Sequence, residues 1–346
     1  MSTESIRLTQ FAHGAGCGCK ISPSVLKEIL LHQRDTSAYP ELLVGNSEND
    51  DAAVLDLKNG TSLISTTDFF MPIVDDAFDF GAIAAANALS DVYAMGGKPV
   101  MCIAILGWPI EQLPASLAGL VLNGARSICE KAGIPLAGGH TIDAKEPFFG
   151  LSVNGLIDTA DIKRNTGAQL GDLIYLTKPI GSGIITTAAR RVLDQDDDLK
   201  NAVDVMQALN VVGAKLAPFA GVHAITDVTG FGLLGHLFEM LGNQDLSAHI
   251  RYSEVPRLRG VEKYLEKFIY PDMTTKTYAW ISEYTSELSG EQLLLLCDPQ
   301  TSGGLLLAVN PNDSAKVEKL LIENNCYSKS IGYFGEYQGK AIFVED

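Results

Sequence analysis

The stretch "HGAGCGCK", His13 to Lys20, sets two thiols and an amine among three glycines. A thiolate is a soft nucleophile, and a neighbouring ammonium raises the thiolate fraction. Lys20 can also neutralise charge on a transferring phosphoryl group. Glycine loses too much backbone freedom to sit well in a helix, and the stretch offers little side chain to bury. It reads as a flexible lid that carries chemistry to a site built elsewhere. The C-x-C spacing turns both thiols to one side of an extended chain, so spacing alone does not choose between Cys17 and Cys19. Three other readings are a tail with two incidental cysteines, a thiol redox pair, and a metal clip. No His or Cys pair at zinc spacing follows to complete a clip.

The second chemical theme is carboxylate. Asp50 and Asp51 precede an apolar run, Asp68 closes another, Asp227 follows "HAIT", and Asp91 lies one helical turn after Asn87. Carboxylates at strand ends can converge on a cleft, and they repel unless a cation joins them. That is the physics of a magnesium–nucleotide site. Taken singly, Asp50, Asp51 and Asp227 also suit turns and caps. Asp91 among alanines and leucines needs a partner if it is buried. Glycine loops form a third theme. "LAGGHT" (136–141) offers backbone amides and a hydroxyl to phosphate through Gly139, His140 and Thr141. "PIGSG" and "DVTGFGLLGH" are strand-to-helix turns of the same sort. His13, His223 and His236 read as structural.

These residues must be held by alternating elements. "AAVLDL" (52–57) and "TSLISTT" (61–67) read as strands around a "KNG" turn, and 80–95 as a helix rich in small residues. A strand at 99–106, an amphipathic helix at 114–132 and strands at 134–139 and 148–157 follow. The polar passage "DTADIKRNTGAQLGD" reads as a connection between domains. "LIYLTKPIG" then restarts the pattern, with a strand at 223–226, a helix near 229–242, a polar region to about 290 and a strand at 303–309. The expectation is an α/β (α+β) chain of two domains, 1–157 and 158–346, with a lid over about 1–47.

The net charge of −16 over 346 residues argues against nucleic acid and anionic membranes as partners. It suits an enzyme that gathers divalent cations. The N-terminal "MSTESIRLTQ" has no signal-peptide pattern, and no apolar run approaches a membrane span. The six scattered cysteines do not form a disulfide framework. A reducing cytoplasm is the expected compartment.

"GAGCGCK", "ENDDAAV" (48–54), "STTDFF" (65–70), "IAAANALSDVYAMGG" (83–97), "LAGGHT", "ITDVTGFGLLGH" (225–236) and "DPQTSGGLLLAV" (298–309) together resemble the selenophosphate synthetases along the whole chain. The helix motif is shared more widely, with the aminoimidazole ribonucleotide synthetase superfamily; the "GCGCK" lid is the specific part. The resemblance implies ATP-dependent conversion of selenide and water to selenophosphate, with AMP and orthophosphate as co-products. It implies Cys17 and Lys20 as catalytic residues, and Asp51, Asp91 and Asp227 as magnesium ligands. Lys20, Glu48, Asn49, Asp50, Asp68 and Asp91 then fall in the nucleotide site. Gly139, His140 and Thr141 would reach ATP on the partner of a homodimer formed by pairing N-terminal sheets. A monovalent cation (K+) and a selenium-delivery protein are further candidates. The rival readings are another ATP-dependent kinase or synthetase of the superfamily, such as a thiamine-phosphate kinase, and a thiol redox protein using Cys17 and Cys19.

Overall fold

The computed structural model describes residues 6–19, 25, 28–29, 39–45, 50–194, 197–242 and 244–346. Lys20, Glu48, Asn49 and the side chain of Cys19 lie outside the described residues. The chain is a mixed α/β protein of two domains, each with a six-stranded sheet. The first sheet holds β1 (Leu42–Val44), β2 (Ala53–Asp56), β3 (Thr61–Phe70), β4 (Lys98–Trp108), β5 (Leu136–Asp143) and β6 (Phe148–Asp158). Their order is β1-β2-β3-β6-β4-β5, antiparallel throughout except for the parallel β4–β5 edge. A parallel pair needs a crossover, and the helix Ala115–Ala132 supplies it. The second sheet holds β7 (Leu173–Leu176), β8 (Val222–Asp227), β9 (Leu246–Arg251), β10 (Leu305–Val309), β11 (Ser330–Glu336) and β12 (Ile342–Glu345). Their order is β12-β9-β11-β7-β10-β8.

The helix α1 (Ala77–Ala94) packs on the first sheet and meets the second domain on its other side. Its small residues let neighbours approach to backbone contact. A Cβ at Gly81 would collide with the Val121 carbonyl of α2 (Ala115–Ala132), and one at Gly124 would collide with the Phe78 carbonyl. Across the domain boundary, Asn210 Nδ2 donates to Ser90 Oγ at 2.8 Å, and Gln207 Nε2 to Asp79 Oδ1 at 2.7 Å. A helix buried on nearly every side cannot show a strong apolar stripe, and α1 has polar residues only where they find partners.

Several boundaries differ from the sequence expectation. Strand β3 continues to Phe70, because its pairing with β6 runs on to Phe149, so Asp68 lies within the ladder opposite Leu151 rather than at a strand end. Helix α1 starts at Ala77, where the Asp76 side chain accepts from Asp79 N. The helix expected from 229 starts at Gly232, since Thr229–Gly232 is a turn closed by a 3.0 Å bond from Gly232 N to Thr229 O. The region expected to be polar up to 290 contains β9, buried between β12 and β11, and the helices Asp272–Ile281 and Gly290–Leu296.

Among the described residues, no helix is long and apolar enough to cross a membrane.

Candidate active site

Three carboxylates lie near enough to feel one another's charge where the two domains touch. Asp51 sits just before β2, Asp91 on α1 and Asp227 at the end of β8. Thr226 Oγ1 donates to Asp51 Oδ1 at 2.9 Å, and Thr66 Oγ1 donates to Asp91 Oδ2 at 2.6 Å. The other oxygens, Asp51 Oδ2 and Asp227 Oδ2, are buried with no hydrogen-bond donor. Burial first, and then the charges of Asp227 and Asp91, hold the Asp51 carboxyl well above the usual carboxylate range. Two buried, unsatisfied carboxylate oxygens beside a third carboxylate form a donor set suited to a hard divalent cation. Among the described residues, no three His, Cys, Asp or Glu side chains already stand in a metal-binding group.

Lys178 lies beneath this cluster, where it was not anticipated. Its Nζ donates to the carbonyls of Ala208 at 2.6 Å and Ser302 at 3.0 Å. Burial pulls its pKa down to about 8, and the Asp227 charge opposes that.

The thiol joins the carboxylates through Asn87. Asn87 Nδ2 donates to Asp68 Oδ2 at 2.6 Å, and Asn87 Oδ1 accepts from Ser302 N at 2.8 Å. A backbone N–H can only donate and an ionised carboxylate can only accept, so these two bonds fix which way the amide points. Cys17 Sγ lies 3.3 Å from the same Oδ1. That oxygen is an acceptor placed to take a thiol hydrogen bond. Cys17 is 1% exposed. Its α1 neighbour Asn87 was noted in the sequence only for sharing a face with Asp91. The signal that could have found it is the i, i+4 spacing of two polar residues on an otherwise apolar helix.

The described part of the lid is docked on both domains rather than loose. Arg7 Nε meets Asp75 Oδ2 at 2.6 Å, and Thr9 donates twice to Asp75 Oδ1, from N at 3.0 Å and Oγ1 at 2.6 Å. From the second domain, Arg190 Nη2 donates to the Ala12 carbonyl at 2.6 Å. His13 pairs at the surface with Glu146, while His223 pairs with Asp172 and His236 with Glu239.

Two predicted groups have other surroundings as well, although the charge of Asp50 still acts on Asp51. Asp50 accepts from Asn165 N at 2.9 Å and Arg164 Nη1 at 3.5 Å, so its described partners belong to the connection between domains. Gly139, His140 and Thr141 are exposed on the edge strand β5. Two strands, β6 and β4, separate β5 from β3, which puts the loop about 14 Å from Asp68 across the sheet. Within one chain they do not join the carboxylates. Cys102 and Cys129 are buried thiols 3.4 Å apart, away from this site.

A two-sheet scaffold with acidic side chains at the domain junction defines a class. The family described as "AIR synthase related protein, N-terminal domain" matches residues 49–157, and its C-terminal counterpart matches 169–345. The relatives narrow the class. A selenide, water dikinase of Enterobacter sp. (strain 638) is 52% identical over 345 residues, covering 100% of this chain and 99% of the relative. One from Colwellia psychrerythraea is 55% identical over 328 residues, 95% of each chain. The chain belongs to the selenide, water dikinase family. Among solved structures, a thiamine-monophosphate kinase from Stenotrophomonas maltophilia K279a shares the fold, with a TM-score of 0.64, 21% identity and coverage of 88% of this chain and 92% of that one.

Proposed function

We infer that the cleft at the domain junction carries out the reaction of the family. The chain is an enzyme that makes selenophosphate from selenide, ATP and water, releasing AMP and orthophosphate. The observation that carries the site assignment is the unbroken path from Cys17 Sγ through Asn87 to Asp68, beside the Asp51–Asp91–Asp227 cluster. Asp51 and Asp227 would hold magnesium through their unsatisfied oxygens, with Asp91 adding charge. Bound magnesium supplies charge neutralisation on the phosphate chain of ATP. Asp68 and Asn87 orient the end of that chain toward the thiol. Cys17 presents a polarisable sulfur to selenide, and Lys20 supplies the cation for phosphoryl transfer. A monovalent cation, K+, is a further component, and Glu48 and Asn49 belong to the nucleotide site.

The working unit is a homodimer. The first sheet's outer face exposes Leu55, Phe69, Met101, Ile103, Ile142 and Leu156, at 38–50% each. Alternation puts them opposite the core residues Phe149, Leu151 and Val153. Pairing two such faces buries them and carries Gly139–Thr141 to the partner's nucleotide. The domains divide near residue 158, and the enzyme works in the cytoplasm, where selenide reaches it free or on a carrier protein.

Phosphorus NMR of the protein with ATP, magnesium and selenide tests the reading. Wild-type enzyme gives selenophosphate with AMP, and Cys17→Ser gives none, while Cys19→Ser loses much less. Selenophosphate formed by Cys17→Ser at the wild-type rate would reduce the lid to a passive cover.

A further inference from the structure

The loop 298–303 of the second domain reaches the segment that carries the thiol. Cys17 N donates to Thr301 Oγ1 at 3.2 Å. The lid is shaped for this contact. Gly16 has φ +50°, and a Cβ there would collide with Thr301 Oγ1 and with the Ile73 side chain. The left-handed φ favours glycine, and any side chain there would have to displace Thr301 or Ile73. Gly16 N is held in turn by the Met71 carbonyl at 3.0 Å.

Thr301 is itself fixed by a buried network that touches no carboxylate of the Asp51 cluster. Its N–H donates to Ser182 Oγ at 3.2 Å, and Ser182 Oγ donates to Gln300 Oε1 at 2.9 Å. Gln300 Oε1 also accepts from Gly181 N and Ser182 N, and Gln300 Nε2 donates to Asp298. Asp298 Oδ2 closes the ring by accepting from Gly183 N at 3.0 Å. The next residue, Ser302, has φ +52° and gives its N–H to Asn87. Adjacent residues of one loop thus hold the backbone of Cys17 and the amide that receives its thiol.

We propose that Thr301 is a positioning residue for Cys17: its hydroxyl seats the lid so that the thiol meets Asn87 rather than solvent. This rests on the family reading of Cys17 as the reacting thiol. Removing the hydroxyl takes away the acceptor that Thr301 gives this buried N–H, which favours a displaced lid. A cavity of about 580 Å³ lined by Ala15, Gly18, Thr186, Arg190 and Thr301 borders the lid and would give a displaced Cys17 a route to solvent.

The test compares Thr301→Val, which keeps the shape, with Thr301→Ser, which keeps the hydroxyl. Expected for Thr301→Val are a fall in kcat for selenophosphate of about tenfold (about 1.4 kcal/mol), an unchanged KM for ATP, and faster alkylation of Cys17 by iodoacetamide, read by peptide mass spectrometry. Thr301→Ser restores both kcat and protection. Wild-type protection and kcat in Thr301→Val overturn the proposal. So does an equal loss in Thr301→Val and Thr301→Ser accompanied by a lower melting temperature, which marks a merely structural loop. The alkylation arm needs no substrate. If the wild-type protein makes no selenophosphate, the family reading fails, and the seating of the lid is still judged.

Discussion

Asp298→Asn should change how stability depends on pH. Asp298 is fully buried; its Oδ2 accepts from Gly183 N and Gln300 Nε2, while Oδ1 has no partner. Burial pushes its carboxyl from the ordinary 3.8 up to about 8, against the pull of its hydrogen bonds. Between those values the folded protein keeps a proton that the unfolded chain has released. The stabilisation is therefore fully present below pH 3.8 and is lost as pH rises through about 8. From pH 7 to 9 the loss is about 1.4 kcal/mol, most of it below pH 8. An asparagine copies the protonated acid and cannot ionise. Lys178 titrates in the same window with the opposite sign. Its folded pKa is lowered to about 8, so it costs less as pH rises. Because both proteins contain Lys178, that contribution cancels in their difference. Melting curves of variant and wild type at pH 7 and pH 9 provide the assay. The variant's Tm should gain on wild type by about 3–5 °C over that interval for a domain of this size. A Tm difference that stays constant to about 1 °C over the interval would mean that Asp298 is already ionised at pH 7, and that the loop rests on a charged anchor.

Two further outcomes follow from the same geometry. Without magnesium, Asp51→Asn should be at least as stable as wild type, because it removes a carboxyl whose charge is disfavoured by burial and by Asp227 and Asp91. On adding magnesium only wild type should gain Tm, and AMP formation by the variant should fall about 100-fold or more; equal thermal shifts in both proteins would move the metal elsewhere. Ile103→Glu combined with Ile142→Glu should give monomers in sedimentation, since each buried aliphatic side chain contributes about 1.5–3 kcal/mol, and a persistent dimer would assign the interface to another surface.

Much of the chemistry was legible in residue types and spacing. The glycine-thiol segment, the recurring aspartates and the alternation of strands and helices pointed to a lid, a cation site and an α/β frame, because glycine content, like-charge repulsion and hydrophobic period are properties of local sequence. The charges of Asp227 and Asp91 act on Asp51; the strand-end pattern offered these three among five aspartates, and the family resemblance singled them out. Asp68 was a candidate site residue, and its place within β3 depends on how far β6 pairs with it.

Tertiary structure alone decided what each of these groups meets. Asp50 turns to Arg164 and Asn165 in the connection between domains, although it adjoins Asp51 in sequence. Asn87 is 70 residues from Cys17 and 215 from Ser302, and accepts from both. Thr301 is 284 residues from the thiol whose backbone it holds. No local propensity encodes such pairs: a hydrogen bond needs its two atoms within about 3 Å, and only the packing of the lid and the second domain against α1 brings residues that distant in sequence so close. Sequence offered the candidate groups, and the fold chose their partners.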